Sequence, residues 1–287
     1  MKKIEALVIP DVHGRAFWKE AINKFPKDQF PDLKIIFLGD YLDPYTGYEP
    51  YTPDSALSNF KEILDYALND DRIIMLIGNH DWHYFVNLDT CRMDRKNERV
   101  IKHLFIDNIT HFKLTYILEL NNHKYVFSHA GITQKWLNDI ASLAKDELYK
   151  WNSGYSNSND YISPELDENY KWLEKISNVN TTYDIELFEK CLINYDKTFY
   201  TAPISMISYD RGGWNPHGSF IWADVNEHLN CEDITNFYQI FAHTISYPTN
   251  QYDYAISPDN HNWAMIDASQ AFIIDNEENI ELLKNFK

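Results

Sequence analysis

IEALVIPDVHGRAFWKEAINKF, residues 4–25, passes from an aliphatic run through Pro10, Asp11, His13 and Gly14 into a segment whose apolar residues recur at helical spacing. The run at 4–10 is short, aliphatic and closed by turn formers, which reads as a strand. Residues 15–25 read as a helix, so the polar residues between lie where a buried strand meets solvent. Asp11 and His13 are two apart, and at a strand end such side chains point to one side. They can share a ligand there. Taken alone, the pair is equally a loop-forming aspartate beside a surface histidine.

The same arrangement recurs along the chain. Apolar runs at 34–38 and 72–77 end in FLGDYLDPYTG, with Gly39, Asp40 and Asp43, and in LIGNHDWH, with Gly78, Asn79, His80 and Asp81. Between them TPDSALSNFKEILDYALND has helical periodicity, with Thr52 as N-cap and Pro53 at the first helical position, where its missing N–H costs nothing. Strand-like runs return at 125–128, 238–242, 263–266 and 271–274. Strands alternating with helices argue for a layered α/β fold. From about 133 to 200 the pattern turns helical and polar, and a helical insertion is expected there. The later strands have to rejoin the same core, so a single domain spanning 1–287 is expected.

Composition narrows the function. With 44% hydrophobic and 24% charged residues the chain has the make-up of a soluble globule rather than a disordered one. A formal charge of −17 works against nonspecific nucleic-acid binding, which needs clustered Lys and Arg. The opening MKKIEALVIP is broken by Glu5, Pro10 and Asp11, so no signal peptide is expected. No stretch approaches a membrane span, and no membrane partner is expected. Cys91, Cys191 and Cys231 show no paired spacing, which fits a reducing cytoplasm.

Turn chemistry explains one strand that ends in Gly, Asn or Asp, but three in succession with Asp, Asn or His are harder to reach that way. Parallel strands joined by crossovers open their carboxyl ends onto one crevice, where ligands bind in such sheets. Two later runs end alike, YVFSHAG with His129 and IFAHTIS with His243, and both are expected at the same end of the sheet. Three histidines, two aspartates and an asparagine mix imidazole and oxygen donors, which suits Mn, Fe, Zn or Ni better than Ca. Six ligands are too many for one ion with open positions. Two ions bridged by one carboxylate, roughly 3.5–4 Å apart, would use them all.

PDVHGR, GDYLD, GNHD, SHAG and AHT, in this order, resemble the calcineurin-like metallophosphoesterase superfamily and most of all its phosphoprotein phosphatase branch, similar in having a single His before Thr in the last motif. RGGWNPHGSFIWAD and WAMIDAS resemble segments flanking the family's last histidine, so the likeness runs from Ile4 to about Asp275. It implies a β-sandwich core flanked by helices and two divalent ions, manganese first, with iron, zinc or nickel as alternatives. It also implies that Asp11, His13 and the bridging Asp40 hold one ion, and that Asn79, His129 and His243 complete the second. His80 would protonate the leaving oxygen, oriented by Asp43, while a hydroxide between the ions attacks phosphorus.

This chain departs from the family pattern in having Pro, not Gly, before Asp11, GNHD where the phosphatases have GNHE, and Pro44 where they have a phosphate-clamping arginine. Arg211 in YDRGGW is the candidate for the remaining clamp, with a surface salt bridge as its plain alternative; Arg15 and His217 are weaker candidates. Trp82, His83 and Tyr84 are expected to pack beneath the site, with walling it as the alternative. The Tyr- and Pro-rich segment after Asp43 is either a self-packed loop or a stacking rim. The expected activity is hydrolysis of phosphate monoesters, phosphoserine or phosphothreonine in proteins among them, with a small molecule or a phosphoprotein as substrate. A phosphodiesterase or dinucleoside polyphosphate hydrolase is the enzymatic rival. A catalytically silent metal- or partner-binding protein is the rival of another class, disfavoured because Asp43 and His80 accompany the six ligands.

Overall fold

Alternation along one strand sets the layers. In β1 (Ile4–Ile9), Ala6 and Val8 join one buried cluster, whereas Leu7 and Ile9 join another. A strand covered on both faces reads as an unbroken apolar run, as this one does. The structure, a computed structural model, describes residues 2–45, 51–86, 92–139, 142, 203–231, 237–244, 261–267 and 270–283.

β1 pairs in parallel with β2 (Lys34–Phe37), which pairs in parallel with β3 (Ile73–Leu76). β4 (Phe112–Lys113) continues beyond β3, and β9 (Phe272–Asp275) and β10 (Ile280–Leu282) extend the sheet antiparallel beyond β1, giving the order β10-β9-β1-β2-β3-β4. The second sheet contains β5 (Tyr116–Leu120), β6 (His123–Phe127), β7 (Tyr238–Phe241) and β8 (Trp263–Met265), in the order β5-β6-β7-β8. Asn121 and Asn122 turn the β5–β6 hairpin with φ of 47° and 71°, the left-handed pair that a two-residue turn favours.

Val8, Ile36, Leu38 and Leu76 of the first sheet meet Phe127, Ile240, Ala264 and Ile266 of the second in one apolar layer. Leu7, Ile9, Ile35 and Phe37, on the other face, pack against Trp18 and Ile22 of α1 (Phe17–Asn23) and Phe60 and Ile63 of α2 (Pro53–Asn69). Each such aliphatic side chain stabilises the fold by about 1.5–3 kcal/mol relative to exposure. The result is the expected mixed α/β sandwich with helices outside. Thr52 caps α2, accepting from the Ser55 amide at 3.1 Å while the Ser55 hydroxyl accepts from the Thr52 amide at 2.8 Å. Pro53 stands at the first turn, as expected.

One expectation needs correction. The strands carrying His129 and His243 belong to the second sheet, not to the sheet that carries Asp11, Asp40 and Asn79. An apolar run shows that a strand is buried and leaves its partner open. The helices α3 (Asn79–Val86) and α4 (Glu98–Asp107) and the strands β4, β5 and β10 were not anticipated. The expected helical insertion lies outside the described residues beyond its first few positions, as does the middle of the Tyr- and Pro-rich loop, residues 46–50. No helix among the described residues is long and apolar enough to cross a membrane.

Where β2 and β3 end, the chain meets itself backbone to backbone. A Cβ on Gly39, which has a φ of +107°, would lie 2.3 Å from the Gly78 amide nitrogen, and one on Gly78 would lie 2.2 Å from Asp40 Oδ1. Moving the Asp40 side chain would not relieve the clash, because the Asp40 amide nitrogen stands 2.6 Å from the same Cβ. Gly78→Ala should therefore lower stability by at least the ~1–3 kcal/mol of an overpacked core, measured as a fall in Tm; an unchanged Tm would show that the two turns are free to separate.

Candidate metal centre

Each donor sits at the end of a strand. Asp11 and His13 follow β1, Asp40 and Asp43 follow β2, and Asn79 and His80 open α3 directly after β3. His129 follows β6 and His243 follows β7, so the facing ends of both sheets contribute. None of these residues is more than 9% exposed. The backbone is bent to aim them: φ is 43° at His13, 52° at Asp40, 55° at Asp43 and 70° at His243. A left-handed residue other than glycine costs roughly 1–3 kcal/mol and persists where its surroundings over-determine it.

The donors converge on Asp40. Its Oδ2 lies 3.4 Å from His13 Nε2 and 3.5 Å from His129 Nε2, between two imidazoles. Asp11 Oδ2 is 3.8 Å from His13 Nε2. His129 Nε2 is 2.9 Å from Asn79 Oδ1 and 3.1 Å from His243 Nδ1. Asp11, His13 and Asp40 form one group with ligand atoms within 4.8 Å of one another, and Asp40, His129 and His243 form a second. His13 and His129 each direct Nδ1 at a backbone carbonyl, Leu42 at 2.8 Å and Leu38 at 2.9 Å. Donation there leaves the Nε2 lone pair facing Asp40, the usual preparation of a metal-ligating imidazole.

Electrostatics point the same way. Burial pushes Asp11 and Asp40 up to about 6, each also raised by a neighbouring carboxylate. Burial likewise lowers His129, and brings His13 and His243 well below the ordinary histidine range, which favours the neutral form of each imidazole. Crowded buried carboxylates beside neutral imidazoles are costly unless a cation neutralises them. The donor set therefore fits divalent metal.

Asp81 holds the two turns in place. Its carboxylate accepts from the amides of Asp40 at 2.7 Å, Tyr41 at 3.0 Å and Gly78 at 3.0 Å, while Asp40 Oδ1 accepts from the His80 amide at 2.8 Å. Beside them His80 Nδ1 is 3.0 Å from Asp43 Oδ2. Asp43 is itself gripped: His83 Nε2 is 2.8 Å from Oδ2, and the Tyr84 hydroxyl donates to Oδ1 at 2.6 Å. Burial alone would raise Asp43, but hydrogen bonds from His80 and His83 hold it well below the usual carboxylate range. Trp82, His83 and Tyr84 are buried as expected, and the last two also position Asp43.

Arg211 lies beside His243, with Nε 2.9 Å from Asp224 Oδ2 and Nη2 on Thr244 Oγ1 and 3.5 Å from the His243 carbonyl. It is therefore both near the donors and ion-paired. Arg15 donates to the carbonyls of Val12 and Asp11, bracing the β1 turn, and His217 meets Asp139 at 2.7 Å. Sequence reasoning missed Arg92, whose Nη2 contacts His80 Nε2 and whose Nη1 donates to the Asp43 carbonyl at 3.2 Å. Nothing in the local sequence marks it. His83 and Tyr84 had a signal, since they follow His80 by three and four residues and so share its side of a helix.

A family model described as calcineurin-like phosphoesterase matches residues 4–197. Comparison with curated proteins gives no match. The matched span takes in Asp11, His13, Asp40, Asp43, Asn79, His80 and His129, and amounts to more than half of the 287 residues. With the motifs spaced along the same strands, the chain belongs to the calcineurin-like phosphoesterase family.

Proposed function

We propose that this chain is a two-metal phosphatase acting on phosphate monoesters, phosphoserine and phosphothreonine among them, in the manner of the phosphoprotein phosphatase branch. The observation that carries the reading is Asp40 Oδ2, set between His13 and His129 at nearly equal distances. One ion would be held by Asp11, His13 and Asp40, the other by Asp40, Asn79, His129 and His243, with manganese the first choice and iron, zinc or nickel as alternatives. When bound, such ions supply Lewis acidity and an activated water for attack on phosphorus.

The side chains do the rest. Asp43, held by His83 and Tyr84, fixes Nδ1 of His80, so Nε2, which meets Arg92 Nη2, is the nitrogen left to protonate a departing alkoxide. His80 follows Asn79 at the start of α3, so one turn carries a ligand and the acid together. Pro44 in place of the family's arginine favours a second reading, hydrolysis of a phosphodiester or dinucleoside polyphosphate. Turnover of aryl monoesters, phosphopeptides, diesters and dinucleotides with added Mn²⁺ separates the two, and absence of all turnover leaves a silent binding protein.

Metal loading has a pH signature. Without metal, burial pushes Asp11 and Asp40 up to about 6, above ordinary aspartate, so the folded state binds more protons than the unfolded chain. Their contribution to stability is present below the ordinary value and lost as pH rises through about 6; a cation takes the protons' place. The rise in Tm on adding metal should thus be larger above about pH 7 than near pH 5. Asp40→Ala should lose both ions by elemental analysis and His129→Ala chiefly one; a single ion with Asp40 unligated would overturn the scheme.

The acid has its own test. His80→Asn should keep the metals and the fold yet lower kcat for alkyl phosphates by roughly 10²–10⁴-fold, the usual loss with a general acid. The loss should shrink for nitrophenyl phosphate, whose leaving group departs without a proton. Equal losses on both substrates would remove His80 from that role.

A further inference from the structure

The arginines around the centre differ in what meets their charge. Arg211 is paired with Asp224 at 2.9 Å. Arg92 has no carboxylate in ion-pair range among the described residues. Its guanidinium lies over the Tyr45 ring, with Cζ 4.0 Å from the centroid, and its donors go to the Asp43 carbonyl and to His80 Nε2. A ring face and a carbonyl hold a guanidinium flat and directed without neutralising it.

The position matters as much as the charge. Arg92 docks on the carbonyl of Asp43, at the peptide bond that leads into Pro44, a residue with neither an N–H nor a side-chain donor. Its Nη2 meets the ring nitrogen of His80 that faces away from Asp43. A phosphoryl oxygen would take the place of the His80 nitrogen as the acceptor from Nη2, and the guanidinium fork matches two oxygens of one phosphoryl group.

We propose that Arg92 binds the phosphoryl group of the substrate, supplied from the segment after α3 to a place where Pro44 offers no donor. Tyr45 orients it by stacking. The proposal rests on the phosphoesterase reading and assigns the anion-binding cation within it. It also makes Arg92, unlike the ion-paired Arg211, a guanidinium whose charge is left for a ligand.

The test uses metal-loaded full-length protein and inorganic phosphate, followed by titration calorimetry. Arg92→Ala should weaken phosphate binding by about 10-fold or more, the scale of a lost charge-assisted hydrogen bond, with metal content unchanged. Arg92→Lys should recover only part of the affinity, since it keeps the charge and lacks the fork. If Arg92→Ala folds poorly, Arg92→Gln, which preserves a donor to the Asp43 carbonyl, should show the same loss. An arginine with a merely structural role would lower Tm and leave the phosphate affinity of the folded fraction alone. Wild-type affinity in the folded variants would overturn the assignment and leave the phosphoesterase reading standing. Wild-type protein that, with metal, neither binds phosphate nor cleaves any phosphoester would overturn that reading and Arg92's role with it.

Discussion

One carboxylate, that of Asp81, joins the turns on which the donors ride. It is wholly buried and gathers the amides of Asp40, Tyr41 and Gly78, three donors from the ends of two neighbouring strands. Unpaired, each of these buried amides would cost about 1–3 kcal/mol. Paired to one side chain, they lock the β2 turn to the β3 turn. Gly39 and Gly78 permit that approach, and the left-handed backbone at Asp40 then turns its side chain toward His13 and His129. The aspartate of GNHD thus contributes no ligand and still governs where the ligands stand.

The same economy shows at Asp43. Its carboxylate takes His80, His83 and Tyr84 at once, and the Asp94 amide donates to the Tyr84 hydroxyl at 2.9 Å behind it. Buried polar networks of this kind are rigid when every member is satisfied and expensive when one is removed. α3 is therefore more than a connector. Its first turn carries Asn79 and His80 into the centre, and its next residues, His83 and Tyr84, hold the group that orients His80.

What the sequence made legible was the ends of strands. Asp11, Asp40, Asn79, His129 and His243 stand out because apolar runs stop at Gly, Pro, Asp or His in ways that turn chemistry alone does not explain. The parallel core of β1, β2 and β3 followed from the helices between them. Strand partnership was not legible: a run such as 238–242 is apolar whichever sheet it joins, and only packing assigns β6 and β7 to the facing layer. The β5–β6 hairpin was signalled by Asn121-Asn122 and overlooked, because the flanking strand YILEL alternates and exposes one side. Arg92 had no local signature. Its role depends on the fold bringing it beside Asp43, far back along the chain.

The centre draws on both ends of the described chain: the His243 amide donates to Asp11 Oδ1 at 3.3 Å across a separation of 232 residues. Closing so long a loop carries an entropic penalty before any contact is made, and contacts of high sequence separation form late and slowly. Asp11, His13 and Asp40 can be brought together by β1 and β2 alone, but His243 arrives only when β7 has paired with β6 and the facing sheet has docked. In the proposed two-metal scheme, the second ion's cage would therefore be complete only once the two sheets have met. On that scheme a full complement of metal would mark a chain whose two layers have closed on each other, and cation binding would report conformational maturation.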